Sequence, residues 1–505
     1  MAKIGRIFKK INQLKPSGFW PGFLVGLVYF SYIFWWFWSV HHLAASGIES
    51  GFLAFLIILL PFIITVTGVS LFWGGFSYIA VKFSRRLNVA PLSIFIAGTF
   101  VLLEYARAWF FGILWFGKGS LLGPHWTLGN LAYLFTSISP IRESSAWWGI
   151  YGIDFLVLLF STALFLLIRD RRRKHIKSLT LVLFFVIAIF IAVNLAPQRV
   201  FERNETTVSV IQTKKFLKTF YEPDELLDDF GKKIELLKEA AKNSEIIVFP
   251  ENADFSKTLS GFLDNSSVQK FFNNLSDNKV LIIDGNRVTD EKGIKSKTLL
   301  IDSKRGVADF YDKKLLTPGG ESLPYIAALP LLAFEKITGN NFVSSGTNYT
   351  GGTENNILYH NDLKVGLAVC SDIISPDLIR NNAPELLINT NNLAVFNGNP
   401  LIAGQLLSIA RFRAAENGKY LIISSNFGFS HIIDPLGNIV KSADSTGYQI
   451  LTGNVVLNQT RTWYNKLGDW PILLLSLVIF GFGLIKLRNT RLYNSPDADQ
   501  NKNFY

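Results

Sequence analysis

Apolar residues along this chain follow two patterns. Unbroken runs near bilayer length occupy 19–40, 52–81, 90–111, 146–168, 179–196 and 470–487, whereas between 197 and 469 they shrink to short clusters and periodic stripes. The first pattern predicts six membrane-spanning helices. Splitting the second run at Pro61 or Gly68 leaves halves shorter than the ~17 residues a tilted helix needs, so one tilted or kinked helix is expected there. No small-residue cleavage site follows the first run, which is therefore expected to stay as a span.

The second pattern alternates strand-like and helix-like segments, which predicts a layered α/β domain. Strands are expected at Thr207–Gln212, Glu245–Phe249, Val280–Asp284, Thr298–Asp302, Val307–Tyr311, Val365–Cys370, Leu386–Asn389, Tyr420–Ser425, His431–Ile433 and Asn438–Val440. Leu226, Phe230, Ile234, Leu237 and Ala241 share one face of a helix, and a second helix is expected over 399–417 with Ala403, Leu407, Ala410 and Ala414 inward. The domain plan is then a basic N-terminus (1–18), a five-span bundle (19–196), an α/β domain (197–469), a last span (470–487) and a polar tail (488–505).

Charge orients this frame. Lys3, Arg6, Lys9, Lys10 and Lys15, then Arg85 and Arg86, Arg169 with Arg171 to Lys174, and Lys486, Arg488 and Arg491 all fall on one side of six spans. Lysine and arginine near span ends stay cytoplasmic, so both termini are expected inside and the α/β domain outside. The net charge of +12 partly records this bias and gives no case for nucleic acid. Ten of the 12 tryptophans (35, 36, 38, 109, 115, 126, 147, 148, 463 and 470) fall at the outer ends of spans, which points to an outer surface that handles lipid.

The candidate chemistry begins with Cys370, the only cysteine. It has no disulfide partner in its chain, and free cysteines are most often small buried hydrophobes. Two other segments change that balance. Pro250-Glu251 ends one predicted strand, Tyr311-Asp312-Lys313 another, and Cys370-Ser371-Asp372 a third. Strand ends are where open α/β sheets bind ligands, and a thiol, a carboxylate and an ammonium together supply nucleophile, base and oxyanion partner for acyl transfer. Lys314 is a second candidate amine, expected on the opposite face of its strand.

These three segments, with Leu315-Leu-Thr-Pro-Gly-Gly-Glu321, resemble the Glu, Lys and Cys motifs of the carbon-nitrogen hydrolase (nitrilase) superfamily. More narrowly, Glu104-Tyr-Ala-Arg107-Ala-Trp109, Ala410-Arg-Phe-Arg413-Ala-Ala-Glu416 with Ser425-Asn426-Phe-Gly428, and Gly468-Asp-Trp470-Pro471 look like the bacterial apolipoprotein N-acyltransferases, over residues 18 to 490. The resemblance implies a four-layer αββα domain on a helical bundle of the bacterial cytoplasmic membrane that admits lipid laterally. It implies Cys370 as nucleophile, Glu251 as base and Lys313 as oxyanion partner, with Glu321, Ser371, Asp372 and Asn426 lining the loop or substrate site. It implies a phospholipid acyl donor, a thioester, and transfer to the α-amine of a diacylglyceryl apolipoprotein. No metal or organic cofactor is expected, and a monomer is.

Ser371 and Asp372 stand where that family often has an aromatic residue and glutamate. The chain is expected to lack the family's first two spans, which preserves orientation, and its 112–145 segment is long. Two rival readings are a membrane-anchored amidase of the same superfamily and an inactive receptor or scaffold. Buried ionisable residues in several spans would favour transport, and only Glu104 and Arg107 stand out.

Overall fold

The computed structural model describes residues 18–40, 51–84, 86–122, 125–169, 173–195, 204–216, 218, 221–328, 332, 336, 349–353, 356–380, 384–444 and 447–493. Six apolar helices fill the six predicted spans: Phe19–Ile33, Gly51–Ser84, Val89–Leu114, Ser139–Arg169, Arg173–Leu195 and Trp470–Tyr493. Among the described residues, four of these are long and apolar enough to cross a membrane, and the first and last are shorter apolar helices. The second is a single helix that runs through Pro61, as expected.

Two boundaries differ from expectation. The first helix ends at Ile33, and Trp35–Val40 forms a tighter 3-10 turn. Its aromatic rings pack inward: Trp36 meets Phe396 of the α/β domain edge to face at 5.1 Å, and Phe37 meets Trp115 at 5.2 Å. Trp115 and Trp126 are likewise buried, while Trp35, Trp463 and Trp470 remain exposed, so the outer tryptophans divide between packing and surface. The fourth helix starts at Ser139, not 146, and breaks at Gly149, whose φ of 66° suits only glycine. A side chain there would also collide with the Tyr464 ring.

The α/β domain contains two six-stranded sheets. One has the order β12-β1-β2-β3-β4-β5 and the other β11-β10-β9-β8-β7-β6. The strands are β1 Asn204–Gln212, β2 Ile246–Val248, β3 Leu281–Asp290, β4 Gly293–Asp302, β5 Gly306–Asp312, β6 Ile357–His360, β7 Leu363–Val369, β8 Leu386–Asn392, β9 Leu421–Asn426, β10 His431–Ile433, β11 Ile439–Ser442 and β12 Gln449–Leu457. In each sheet three central strands run parallel, β1-β2-β3 and β7-β8-β9, and antiparallel strands flank them.

Side-chain alternation sorts the core into layers. Val208, Val210, Val248 and Ile283 of the first sheet meet Leu367, Val369, Ile388 and Ile422 of the second. Ile247 and Ile282 turn outward onto Leu237, Phe255, Leu259 and Phe272 of the helices Pro223–Ala241, Phe255–Phe262 and Asn265–Asn273. Leu387 and Ile423 turn the other way, onto Leu406, Ile409 and Ala410 of the Pro400–Asn417 helix, and that cluster continues into Phe30, Phe34 and Phe111 of the bundle. The result is the expected αββα sandwich, with its second helical layer resting on the membrane helices.

Local sequence explains the key elements. β2 is buried on both faces and is followed two residues later by Pro250, which has no N–H to offer a ladder. The Pro400–Asn417 helix is capped by Asn399, which accepts from the Leu401 N–H at 2.8 Å, and ends at Gly418 with φ 64°. The Pro223–Ala241 helix buries Lys233 and Asp229 along with Leu237, whereas the expected inward Leu226 is exposed.

The 112–145 segment has a structural account. Gly117 and Pro324 form an isolated bridge, the Gly351 N–H donates to Gly119 O at 2.8 Å, and Arg142 donates to Leu436 O at 2.8 Å and to Asn438 Oδ1 at 2.5 Å. Its length is spent on fastening the bundle to the α/β domain.

Candidate active site

Glu251 and Cys370 follow β2 and β7, and Lys313 follows β5. All three are buried, with Glu251 3%, Lys313 2% and Cys370 4% exposed; Glu251 and Lys313 form an ion pair, and Cys370 lies close enough for both charges to act on it. Lys313 Nζ lies 2.9 Å from Glu251 Oε1 and 2.8 Å from Glu321 Oε2. Thr317 Oγ1 takes a further bond from the ammonium at 3.3 Å, and Ser296 Oγ donates to Glu251 Oε1 at 3.3 Å. One buried cation thus sits between two carboxylates, which offsets the desolvation of all three.

These charges bear on the thiol. Burial pushes the Cys370 thiol up to about 12, with Lys313 pulling it down and the two glutamates pushing it further up. Burial also raises the Glu251 carboxyl, against the pull of Lys313. For Lys313 burial disfavours the charge, yet Glu251 and Glu321 overcome it and hold the ammonium well above the usual lysine range. The resting site is therefore a neutral thiol beside an ion cluster, and it needs a base to make a thiolate.

The backbone supports this arrangement. Cys370 has a φ of 49°, a left-handed conformation that costs about 1–2 kcal/mol for a residue with a Cβ. It opens a fully buried 3-10 turn, Cys370–Ile374, straight off β7. Asn252 and Asp254, either side of Ala253, are also left-handed. The Glu251 loop fits against β3 only because Gly285 lacks a side chain: a Cβ there would lie 2.7 Å from Pro250 O and 2.9 Å from Glu251 Cα.

The lower-ranked site residues have defined places. Glu321 joins the cluster and also accepts from the Thr317 N–H at 2.7 Å. Asp372 accepts from Leu315 N at 2.7 Å, Val369 N at 3.0 Å and Tyr311 Oη at 3.0 Å, while Ser371 Oγ donates to Leu315 O. These two residues tie the Lys313 loop to the Cys370 turn. Asn426 is a staple between sheets: its amide bonds Thr213 Oγ1 at 2.8 Å, Lys215 N at 2.7 Å and O at 2.9 Å, and Asn392 Oδ1 at 2.9 Å, and the Asn392 backbone in turn hydrogen-bonds Cys370.

Sequence reasoning missed Ser296, Thr317 and Tyr349. Tyr349 is buried close enough for the charges of Glu321, Glu251 and Lys313 to act on it, and burial pushes its hydroxyl up to about 12. Ser296 and Tyr349 fall in no motif, and Thr317 lies within the Leu315–Glu321 stretch, where only the glutamate carried a role. Among the described residues no cluster of three or more His, Cys, Asp or Glu could hold a metal ion.

Known proteins share this organisation in sequence. Residues 207–465 match the carbon-nitrogen hydrolase family, and residues 7–163 match the apolipoprotein N-acyltransferase N-terminal domain. The apolipoprotein N-acyltransferase of Pasteurella multocida (strain Pm70) is 25% identical over 96% of this chain and 91% of its own. That of Rickettsia bellii (strain RML369-C) is 28% identical over 79% of this chain and 76% of its own. The crystal structure of Saccharomyces cerevisiae Nit3, a member of branch 10 of the nitrilase superfamily, is similar over 51% of this chain and 92% of its own, at 16% identity and a TM-score of 0.37. With one match covering more than half its length and the other lying over its apolar helices, this chain belongs to the carbon-nitrogen hydrolase family.

Proposed function

We propose that the protein is an apolipoprotein N-acyltransferase working by a ping-pong mechanism at Cys370. The observation that carries this reading is a buried cation, Lys313, held between Glu251 and Glu321 and acting on the one thiol of a chain built on apolar helices.

In the first half-reaction Cys370 Sγ attacks an ester carbonyl of a phospholipid while Glu251 takes the thiol proton. Lys313 faces the developing oxyanion, a contribution of about 10²–10³ in rate for one such donor. The ester C–O bond breaks, the lysolipid alkoxide leaves with the proton held on Glu251, and a thioester remains. In the second half-reaction the free α-amine of a diacylglyceryl apolipoprotein attacks that thioester and loses its proton to Glu251. The C–S bond breaks, an amide forms, and the thiolate recovers the proton. A thioester keeps its transfer potential between substrates, and a site that excludes water favours the amine over hydrolysis.

The apolar helices set the enzyme in the membrane beside its lipid. The charge pattern supports cytoplasmic termini, with the 197–469 domain on the outer face. Mass spectrometry of the purified protein after incubation with phospholipid tests the reading. A fatty-acyl adduct on Cys370, discharged by a diacylglyceryl peptide, is expected; an unmodified Cys370 overturns it, and discharge to water alone favours the amidase.

A further inference from the structure

The turn that carries the nucleophile is held from outside its own sheet. In a five-residue 3-10 turn the last carbonyls have no donor within the turn, and here they are buried. Thr127 Oγ1 donates to Ile374 O at 2.5 Å, across 247 residues of sequence. Arg413 Nε donates to Ile373 O at 3.1 Å. Tyr133 links the two, with its hydroxyl 2.7 Å from Thr127 Oγ1 and 2.6 Å from Arg413 Nη2.

This grip leads back into the bundle. Arg413 Nη1 is paired with Glu416, and the other Glu416 oxygen accepts from Ile150 N at 3.1 Å. That N–H is available because the helix breaks at Gly149. Beside Thr127, Trp126 N donates to Ala108 O at 3.2 Å in the Val89–Leu114 helix, and Asn130 Nδ2 donates to Asp154 Oδ2 at 2.6 Å in the Ser139–Arg169 helix. Two membrane helices therefore reach the Cys370 turn through one hydroxyl and one guanidinium.

We infer that Thr127, supplied by the membrane module, is a positioning residue for the nucleophile, acting with Arg413 on the carbonyls of the turn that Cys370 opens. A left-handed cysteine persists only where its surroundings over-determine it. Without the Thr127 hydroxyl, the Ile374 carbonyl is left buried with only the 3.5 Å contact from Arg413 Nη2, and the turn can relax toward an ordinary conformation. The sulfur then moves relative to Glu251 and Lys313. A displacement of 1 Å costs up to about 10²-fold in rate. The inference rests on Cys370 being the nucleophile, which the adduct measurement on the unchanged protein decides separately.

The test is single-turnover acylation of the full-length protein in nanodiscs, with a phospholipid and, separately, with p-nitrophenyl butyrate. With the ester, a thioester forms and nitrophenolate leaves. Thr127→Val is expected to slow acylation about 10-fold with both donors and to leave KM for the phospholipid within about twofold. Thr127→Ser, which keeps the hydroxyl, is expected to restore most of the rate. Tyr133→Phe, which breaks the link but leaves both grips, is expected to lose about threefold and serves if the valine variant does not fold. Wild-type acylation in Thr127→Val, a loss seen with phospholipid alone, or a loss that serine does not repair overturns the inference.

Discussion

The two sides of the site are held in different ways. The Glu251 loop is secured wholly within the α/β domain. Lys233 Nζ donates to Ala253 O at 2.7 Å, Asp229 accepts from that ammonium at 2.7 Å and from Tyr448 Oη at 2.6 Å, and Asp254 N donates to Gly285 O at 2.9 Å. The Cys370 turn instead depends on Thr127 from the bundle's outer segment and Arg413 from the helix that rests on it. The proposed base belongs to the α/β scaffold, while the proposed nucleophile is aligned in part by elements of the membrane module. A domain cut away from its bundle would thus keep the base in place and lose alignment at the sulfur.

Four measurements sharpen or break that contrast. The largest effect is expected from Cys370→Ala, which should abolish the acyl adduct; labelling of that variant by radiolabelled phospholipid would place the nucleophile elsewhere. Glu251→Gln is next, with a loss of about 10²–10⁴ in acylation rate and an unchanged melting temperature. Near-normal turnover there would remove Glu251 as base. Lys233→Met, on the base side, is expected to slow acylation about 10-fold by releasing the Ala253 carbonyl, equally in nanodiscs and in detergent. A loss that varied with the lipid environment would contradict a base side isolated from the bundle.

The smallest effect is in the pH profile. Glu251 must be ionised to take a proton and burial raises its carboxyl, so acylation falls as pH drops through a point above the ordinary carboxylate range. With the thiol pushed up to about 12, no second rise from free thiolate is expected between pH 8 and 10. A rise near 8.5, the value of an unperturbed thiol, would mean that the sulfur is solvated.

Much of this architecture was legible because it follows from solvent preference. Bilayer-length runs marked the six apolar helices, and short β-branched runs marked β2, β7 and β9. β6 and β12 escaped because they are edge strands with less continuous apolar faces, and β3 extends to Asp290 beyond its apolar start. Glu251, Lys313 and Cys370 were legible as strand-end residues of complementary chemistry. Lys233 and Thr127 were not, because each acts on a main-chain carbonyl, which every residue has. Thr127 meets one 247 positions away, and no pattern in the sequence records that distance. Asn426 shows the converse: a motif marked it, and its amide is spent on joining two sheets.

The burial of Cys370 also bears on how long the protein survives. Peroxide and disulfide-forming oxidants attack thiolate that is open to solvent, and Cys370 is a buried residue whose thiol stays protonated at rest. On the outer face proposed for this domain it is spared sulfenylation until Glu251 takes its proton during attack on a substrate, so the dependence on Glu251 doubles as protection against ageing.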